Sequence, residues 1–335
     1  MPVVQKGETV LVTGANGYIA SHIIDQLLAK GYRVRGTVRS DAKGKWVHDF
    51  FGKKYDPGKI EVAVVPDMAA KGAFNDAVKG CTGVAHVASN LDFLDDPNAI
   101  IPSVISGINN VLDAASTEPK MARFVYTSSS TAATNPKPNK VFDIDENTWN
   151  TEAIEAAWAP PPYDGRRWDV YGASKTQAEQ ALWKYAEEKK PSFEVNAVLP
   201  NANFGTILNK GAECSTAEWV KKLYRDGTPG GLLQIPPQWF VDVADTARLH
   251  VSALTNPSVK NERVFAFAEP YNWNRIIRTI NKIEPEKKIA EVEDNSEDKS
   301  NLVRKPRAEE LLRIDFGKNG FTGLEESVRT LLESL

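Results

Sequence analysis

Two rhythms of apolar and polar residues alternate along the first 200 positions. Short apolar or β-branched runs have the length and composition of strands: TVLVT (9–13), YRVRGTV (32–38), KIEVAVV (59–65), GVAHVAS (83–89), RFVYTSS (123–129) and FEVNAVLP (193–200). Segments with helical spacing lie between them. In YIASHIIDQLLAK (18–30), Ile19, Ile23, Leu27 and Leu28 fall on one face. AFNDAVKG (73–80) predicts a short helix, and AIIPSVISGINNVLDAAS (99–116) a long one broken near its start by Pro102. DVYGASKTQAEQALWKYAEEK (169–189) predicts a strong helix. Such alternation predicts an α/β fold with a parallel sheet covered on both faces, and right-handed crossovers favour a doubly wound strand order.

Two stretches break the rhythm. Residues 135–168 are irregular, Pro-rich and too long for a simple connection, and loops of that size on α/β scaffolds usually shape a site. Beyond about 205 the alternation loosens. Helices are expected over 216–226, 243–254, 273–283 and 323–334, and a strand at RVFAFA (263–268). The charged run EVEDNSEDKSN (291–301) reads as a solvated loop.

Composition narrows the function classes. The chain has 335 residues, 41% hydrophobic and 25% charged, with a formal net charge of −3. That is an ordinary globular balance, and it points to neither a nucleic-acid nor a membrane partner. Cys81 and Cys214 make no disulfide framework, and no Cys or His has metal-ligand spacing. MPVVQKGETV lacks a basic region followed by an apolar stretch, and no run reaches the ~20 apolar residues of a membrane span. A cytoplasmic location is therefore expected.

The first strand leads into Gly14, Gly17 and Ala20 and then a helix. A strand–loop–helix with small residues at these positions fits dinucleotide binding. The first glycine allows a tight turn, the second lets the backbone approach a pyrophosphate, and the third small residue lets helix and strand pack closely. The helix N-terminus then offers free N–H groups and a positive dipole end. The spacing is G-x-x-G-x-x-A rather than G-x-G-x-x-G. The second strand ends in Val38-Arg39-Ser40, where NAD sites carry an acid. Arg39 can fork onto a 2′-phosphate, and Lys43 can add a second charge, although Asp41 tempers it. Charge-assisted bonds contribute roughly 1.5–3 kcal/mol each, enough to prefer NADP(H). Residues 1–205 are thus expected to form a Rossmann-type nucleotide-binding domain that also carries the catalytic residues. Residues 206–335 would form a smaller, mostly helical and mainly substrate-binding region, some segments of which return to the first domain.

Tyr171 and Lys175 stand four residues apart on one helix face. Carbonyl reduction needs a hydride at carbon and a proton at oxygen. A free phenol, with a pKa of ~10, donates that proton weakly, and bringing it to ~7 takes about 4 kcal/mol. One cation about 4 Å away contributes roughly that much at an effective dielectric of 20. TSSS (127–130) lies at a strand's carboxyl end, where ligands bind in open sheets, and any of its three serines could hold a substrate oxygen.

Together TGANGYIA (13–20), TSSS (127–130) and YGASK (171–175) resemble the extended short-chain dehydrogenase/reductase family. HVASN, SSSTAATNPKPN, YGASKTQAE, NAVLPNANFGTI and PPQWFVDVAD resemble its dihydroflavonol-reductase-like branch, most of all the fungal NADPH-dependent aldehyde (carbonyl) reductases. The likeness runs over nearly the whole chain. It implies Ser129 as the catalytic serine, Tyr171 as general acid, and Lys175 as the residue that holds the nicotinamide ribose and lowers the tyrosine's pKa. It further implies Gly14, Gly17, Tyr18 and Ile19 at the pyrophosphate and Arg39 and Lys43 at the 2′-phosphate. Asp67 and Met68 would meet adenine, Val87, Ala88 and Ser89 the ribose and nicotinamide, and Pro200 to Asn203 the carboxamide. Ala20 stands where many relatives have glycine.

Phe93, Trp168, Trp219, Ile235, Gln238 and Trp239 are the candidates for the substrate pocket, and this apolar supply suits a bulky, uncharged small-molecule carbonyl. The expected activity is NADPH-dependent reduction of aldehydes and ketones by a monomer or weak homodimer. Two rivals share the sequence features: an NAD-retaining sugar-nucleotide epimerase or dehydratase, which Arg166, Arg167 and Arg248 keep in play, and a non-catalytic NADP sensor, which usually lacks the Tyr/Lys pair.

Overall fold

The computed structural model describes residues 3–90 and 92–335. The first half runs β1 (Thr9–Thr13), α1 (Tyr18–Ala29), β2 (Arg33–Val38), α2 (Asp41–Lys54), β3 (Ile60–Val64), β4 (Gly83–His86), α3 (Pro97–Ser116) and β5 (Arg123–Thr127). It continues with β6 (Asp143–Ile144), α4 (Thr151–Trp158), α5 (Arg167–Lys189), β7 (Glu194–Pro200) and β8 (Ala202–Phe204). The remainder is α6 (Ala217–Asp226), β9 (Gln238–Asp242), α7 (Val243–Thr255), β10 (Arg263–Ala266), β11 (Glu269–Tyr271), α8 (Trp273–Ile283), β12 (Asn301–Leu302), α9 (Lys305–Phe316) and α10 (Leu324–Glu333).

Seven strands form one parallel sheet in the order β10-β7-β5-β4-β1-β2-β3. This is the doubly wound α/β architecture expected. β4, β5 and β7 are buried at every position, as strands covered on both faces must be. One core cluster packs α3 and α5 on the sheet through Ile108, Leu112, Phe124 and Leu182. The other packs α1, α7 and α9 through Ile23, Leu27, Leu249 and Leu312. Full burial of such side chains contributes roughly 1.5–3 kcal/mol each. The chain reverses its direction of travel across the sheet between β1 and β4, which opens a crevice at their carboxyl ends. β10, α7 and α9 all pack on this main unit, although they lie beyond residue 205. A third cluster joins α6, α8 and α10 to the small sheet β11-β9-β8.

Several elements differ from the sequence expectation. Residues 73–80 form successive turns, not a helix. Their backbone bonds mostly span three residues, and Gly72 and Gly80, both at positive φ, close the ends. α3 is not broken by Pro102: Asp96 caps it, Pro97 opens it, and the exposed Pro102 ring removes one bond near the start. The long irregular loop contains β6 and α4. α2, α9 and the short strands β8, β9, β11 and β12 are additional, and β12 begins at the last residue of the charged run expected to be a solvated loop.

Candidate active site

The first part of the site grows from the end of β1. Gly14 adopts φ +69°, and a Cβ there would lie 3.3 Å from Ala88. Glycine thus serves both the turn and the close approach of two strand-end loops. Thr13 fixes the second loop: its Oγ1 accepts from the N–H of Val87 and of Ala88, each at 2.9 Å, and lies 3.0 Å from His86 Nδ1. Gly17 caps α1 with extended backbone and no side-chain bond, so the first-turn N–H groups of Tyr18 and Ile19 remain for a ligand. Beside this cradle the Ser89 hydroxyl is buried with no partner among the described residues. A cradle that a Cβ would fill, an uncapped helix start and an orphaned hydroxyl together fit a dinucleotide. At the tip of β2, Arg39, Asp41 and Lys43 are exposed, and none makes an ion pair among the described residues. No carboxylate sits at the strand end itself.

The second part lies at the carboxyl ends of β5 and β7. Lys175 is buried on α5, and its Nζ donates to the Thr127 carbonyl at 3.2 Å and lies 5.4 Å from the Tyr126 ring centroid. Burial lowers its pKa to about 8, and the Glu179 carboxylate pulls it back up. Tyr171 stands one turn earlier. Burial pushes its phenol up, and a hydrogen bond with Ser129 opposes the push. The expectation that Lys175 does most of the lowering differs from what is found, because the ammonium is turned onto the Thr127 carbonyl.

The three serines separate. Ser128 Oγ donates to Glu179 at 2.6 Å, and Ser130 lies inside the following turn. Ser129 Oγ accepts from Thr131 N and Thr131 Oγ1, at 3.2 and 2.9 Å. With both acceptor positions used, its own hydrogen is left to point at a partner.

Aromatic rings cover the phenol. The Phe93 ring lies 5.2 Å from Tyr171 and 5.0 Å from Trp168, and Trp168 lies 6.3 Å from Trp219. The cavity among Asn90, Phe93, Arg167, Val170 and Tyr171 encloses about 10 Å³, room for one water. Asp95 latches the covering loop to α5 by accepting from the Arg167 N–H at 2.8 Å.

Other expected site residues lie apart or are already engaged. Trp239 is a core residue, its indole N–H on Ser300 Oγ. Ile235 packs in the third cluster and gives its carbonyl to Trp273, while Gln238 bonds Pro236 at the start of β9. The Tyr18 hydroxyl is committed to the Gly205 carbonyl, which leaves only that residue's backbone for a pyrophosphate. Asn203 has both ends of its amide engaged, with Thr246 and Asn201, so it supports the crevice from behind. Pro200 ends β7 beside Ala266. Asp67 caps its own turn, and Met68 packs on Gly107 of α3. Thr13 and Glu179 were missed by sequence reasoning; Glu179 is visible in hindsight as the next i+4 step after Tyr171 and Lys175.

The profile of the NAD dependent epimerase/dehydratase family matches residues 10–267. The chain belongs to this family. Within it, the chain is 40% identical to aldehyde reductase 2 of Sporidiobolus salmonicolor, over 99% of this chain and 97% of that protein. It is equally 40% identical to the NAD-dependent epimerase/dehydratase terH of Aspergillus terreus, over 99% and 98% of the two chains. Among solved structures it resembles Gre2 of Candida albicans in complex with NADPH, with a TM-score of 0.84, 27% identity and 98% of each chain covered. Among the described residues no helix is long and apolar enough to cross a membrane.

Proposed function

We infer that this family member is an NADPH-dependent reductase of aldehydes and ketones. The observation that carries the reading is the meeting of Tyr171, Ser129 and Lys175 at the sheet's carboxyl edge, alongside the Gly14–Ala88 cradle. It is supported by similarity to a protein named aldehyde reductase and to Gre2 solved with NADPH.

When bound, the reduced dinucleotide supplies a hydride to the carbonyl carbon. Gly14, Gly17 and the first turn of α1 would hold its pyrophosphate, Ser89 a ribose, Arg39 and Lys43 the 2′-phosphate, and Lys175 the nicotinamide ribose. Tyr171 gives its phenolic proton to the carbonyl oxygen as charge develops there. With a carbonyl bound, Ser129 turns the hydrogen that it otherwise gives to Tyr171 toward the same oxygen and fixes its position. Phe93, Trp168 and Trp219 form an apolar wall that suits an aryl or other bulky, uncharged carbonyl. The collapsed cavity requires Phe93 and Trp168 to move apart when substrate enters.

The test is NADPH oxidation with aromatic aldehydes and β-keto esters, run in parallel with NADH. Turnover preferring NADPH is expected. Protein that arrives with tightly held NAD and ignores added NADPH would instead support a sugar-nucleotide epimerase or dehydratase.

A further inference from the structure

Glu179 is fully buried, one helical turn beyond Lys175, and the chemistry above makes no use of it. Its carboxylate accepts from Ser128 Oγ at 2.6 Å, from Trp183 Nε1 at 3.1 Å, and from Arg263 Nε and Nη2 at 2.7 and 3.4 Å. Arg263, on the edge strand β10, is nearly as buried. Its Nη1 donates to the carbonyls of Glu146 and Thr148, and its guanidinium lies 4.0 Å from the Trp149 ring centroid. Two residues on, Asn150 donates to the Thr131 carbonyl and caps α4. One buried ion pair therefore joins α5, the end of β5, the edge of the sheet and the loop that passes behind Ser129. An isolated buried pair gives little net stability against apolar residues of the same volume. What this pair supplies is a fixed arrangement.

We propose that Glu179 is a positioning residue of the reduction: bonded to Ser128 and balanced by Arg263, it holds the strand end that carries Ser129 against the helix that carries Tyr171 and Lys175. The inference rests on the carbonyl-reductase reading. Ser129 follows Ser128 directly, so tying down Ser128 Oγ fixes the peptide from which Ser129 projects. The Glu179 charge also faces Lys175. The other groups facing that ammonium are His86 on β4, and Tyr126 and the Thr127 carbonyl on β5. Of these charged or titratable groups, Glu179 is the one that favours the ammonium form.

The experiment compares the wild type with Glu179→Gln and with Glu179→Gln/Arg263→Met, which removes both buried charges and separates folding from positioning. Readouts are thermal midpoint, NADPH binding by fluorescence, kcat against pH, and the titration of Lys175 in the free protein by lysine-carbon NMR. Both variants are expected to bind NADPH and to lose about 10- to 100-fold in kcat, the effect of misplacing a reacting group by up to an ångström. Lys175 is expected to titrate below its value of about 8 in both, taking the alkaline limb of kcat with it. Recovery of kcat and of the limb in the double variant would overturn the proposal, because the pair would then matter for folding alone. So would a single variant with wild-type kcat and an unmoved Lys175. Wild-type protein that reduces no carbonyl would defeat the functional reading itself, and this inference with it.

Discussion

In the proposed reduction the proton leaves Tyr171, a phenol whose burial resists ionisation. Tyr171→Phe keeps the ring and its contacts with Phe93 but removes the proton, so kcat is expected to fall by about 10²–10⁴ while NADPH still binds; unchanged turnover would remove Tyr171 from the chemistry. Lys175 sets a second limit. It is held as an ammonium only up to about pH 8, so kcat is expected to decline as pH rises through that value. A profile flat to pH 10 would show that the ammonium charge is not needed. Arg39→Ala is expected to weaken NADPH by about 10- to 100-fold, one charge-assisted contact, with NADH little changed. Equal losses for the two would place Arg39 away from the 2′-phosphate. Tyr171 and Lys175 were legible because i,i+4 spacing alone places them on one face. The residues alone left Ser128, Ser129 and Ser130 open and only the family resemblance pointed to Ser129, because the choice depends on Glu179 taking Ser128, a contact between residues 51 positions apart.

At the scale of elements, the cofactor loop depends on how β1 and β2 pack beneath it. A Cβ on Gly36 of β2 would lie 2.6 Å from the Ala15 Cβ, and Ala15 N donates to the Thr37 carbonyl. Gly36→Ala must therefore push the loop away from the strand. It is expected to cost about 1–3 kcal/mol of stability and to weaken NADPH binding, both reversed by adding Ala15→Gly. Loss without rescue would put the strain elsewhere. Strands β1, β4, β5 and β7 were legible because burial on both faces leaves mostly apolar runs, and β2 because Val34, Thr37 and Val38 give it a β-branched composition. α2 was not, since only Gly44, Val47 and Phe51 of its 14 residues are buried and the first of them is a glycine. Residues 73–80 misled in the opposite way. Phe74, Ala77 and Val78 are buried at helical spacing, yet a glycine at positive φ on each side leaves the segment too short to nucleate a regular helix.

The molecule as a whole has a weakness toward acid built beneath its site. His22, His86 and His250 are buried and titrate at about 4, 3 and 4, each lowered chiefly by burial. In the unfolded chain all three would titrate near 6.5. Their folded values lie below their unfolded ones, so above pH 6.5 they contribute no pH dependence. As pH falls from 6.5 toward 4, the unfolded chain takes up three protons that the fold refuses. Stability is then expected to drop by up to about 4 kcal/mol per pH unit, about 1.4 for each ring. Asp242 works the other way: burial raises its pKa, so the fold takes up that proton first and offsets part of the loss. The position of the rings makes this more than a general loss of stability. His86 contacts Thr13 and His250 contacts Thr127 at 2.7 Å, the two residues that end β1 and β5 under the cradle and under Lys175. NADPH binding is therefore expected to fail with the acid transition rather than after it. Thermal midpoints from pH 7.5 to 4.5 check the slope, and His22→Gln isolates one ring. Its amide can replace the bond to the Thr206 carbonyl, and the slope should flatten by about a third. A midpoint that holds steady from pH 7 to 5 would mean that the folded protein protonates these rings, and that the burial beneath the site is looser than the packing of β4 and β5 requires.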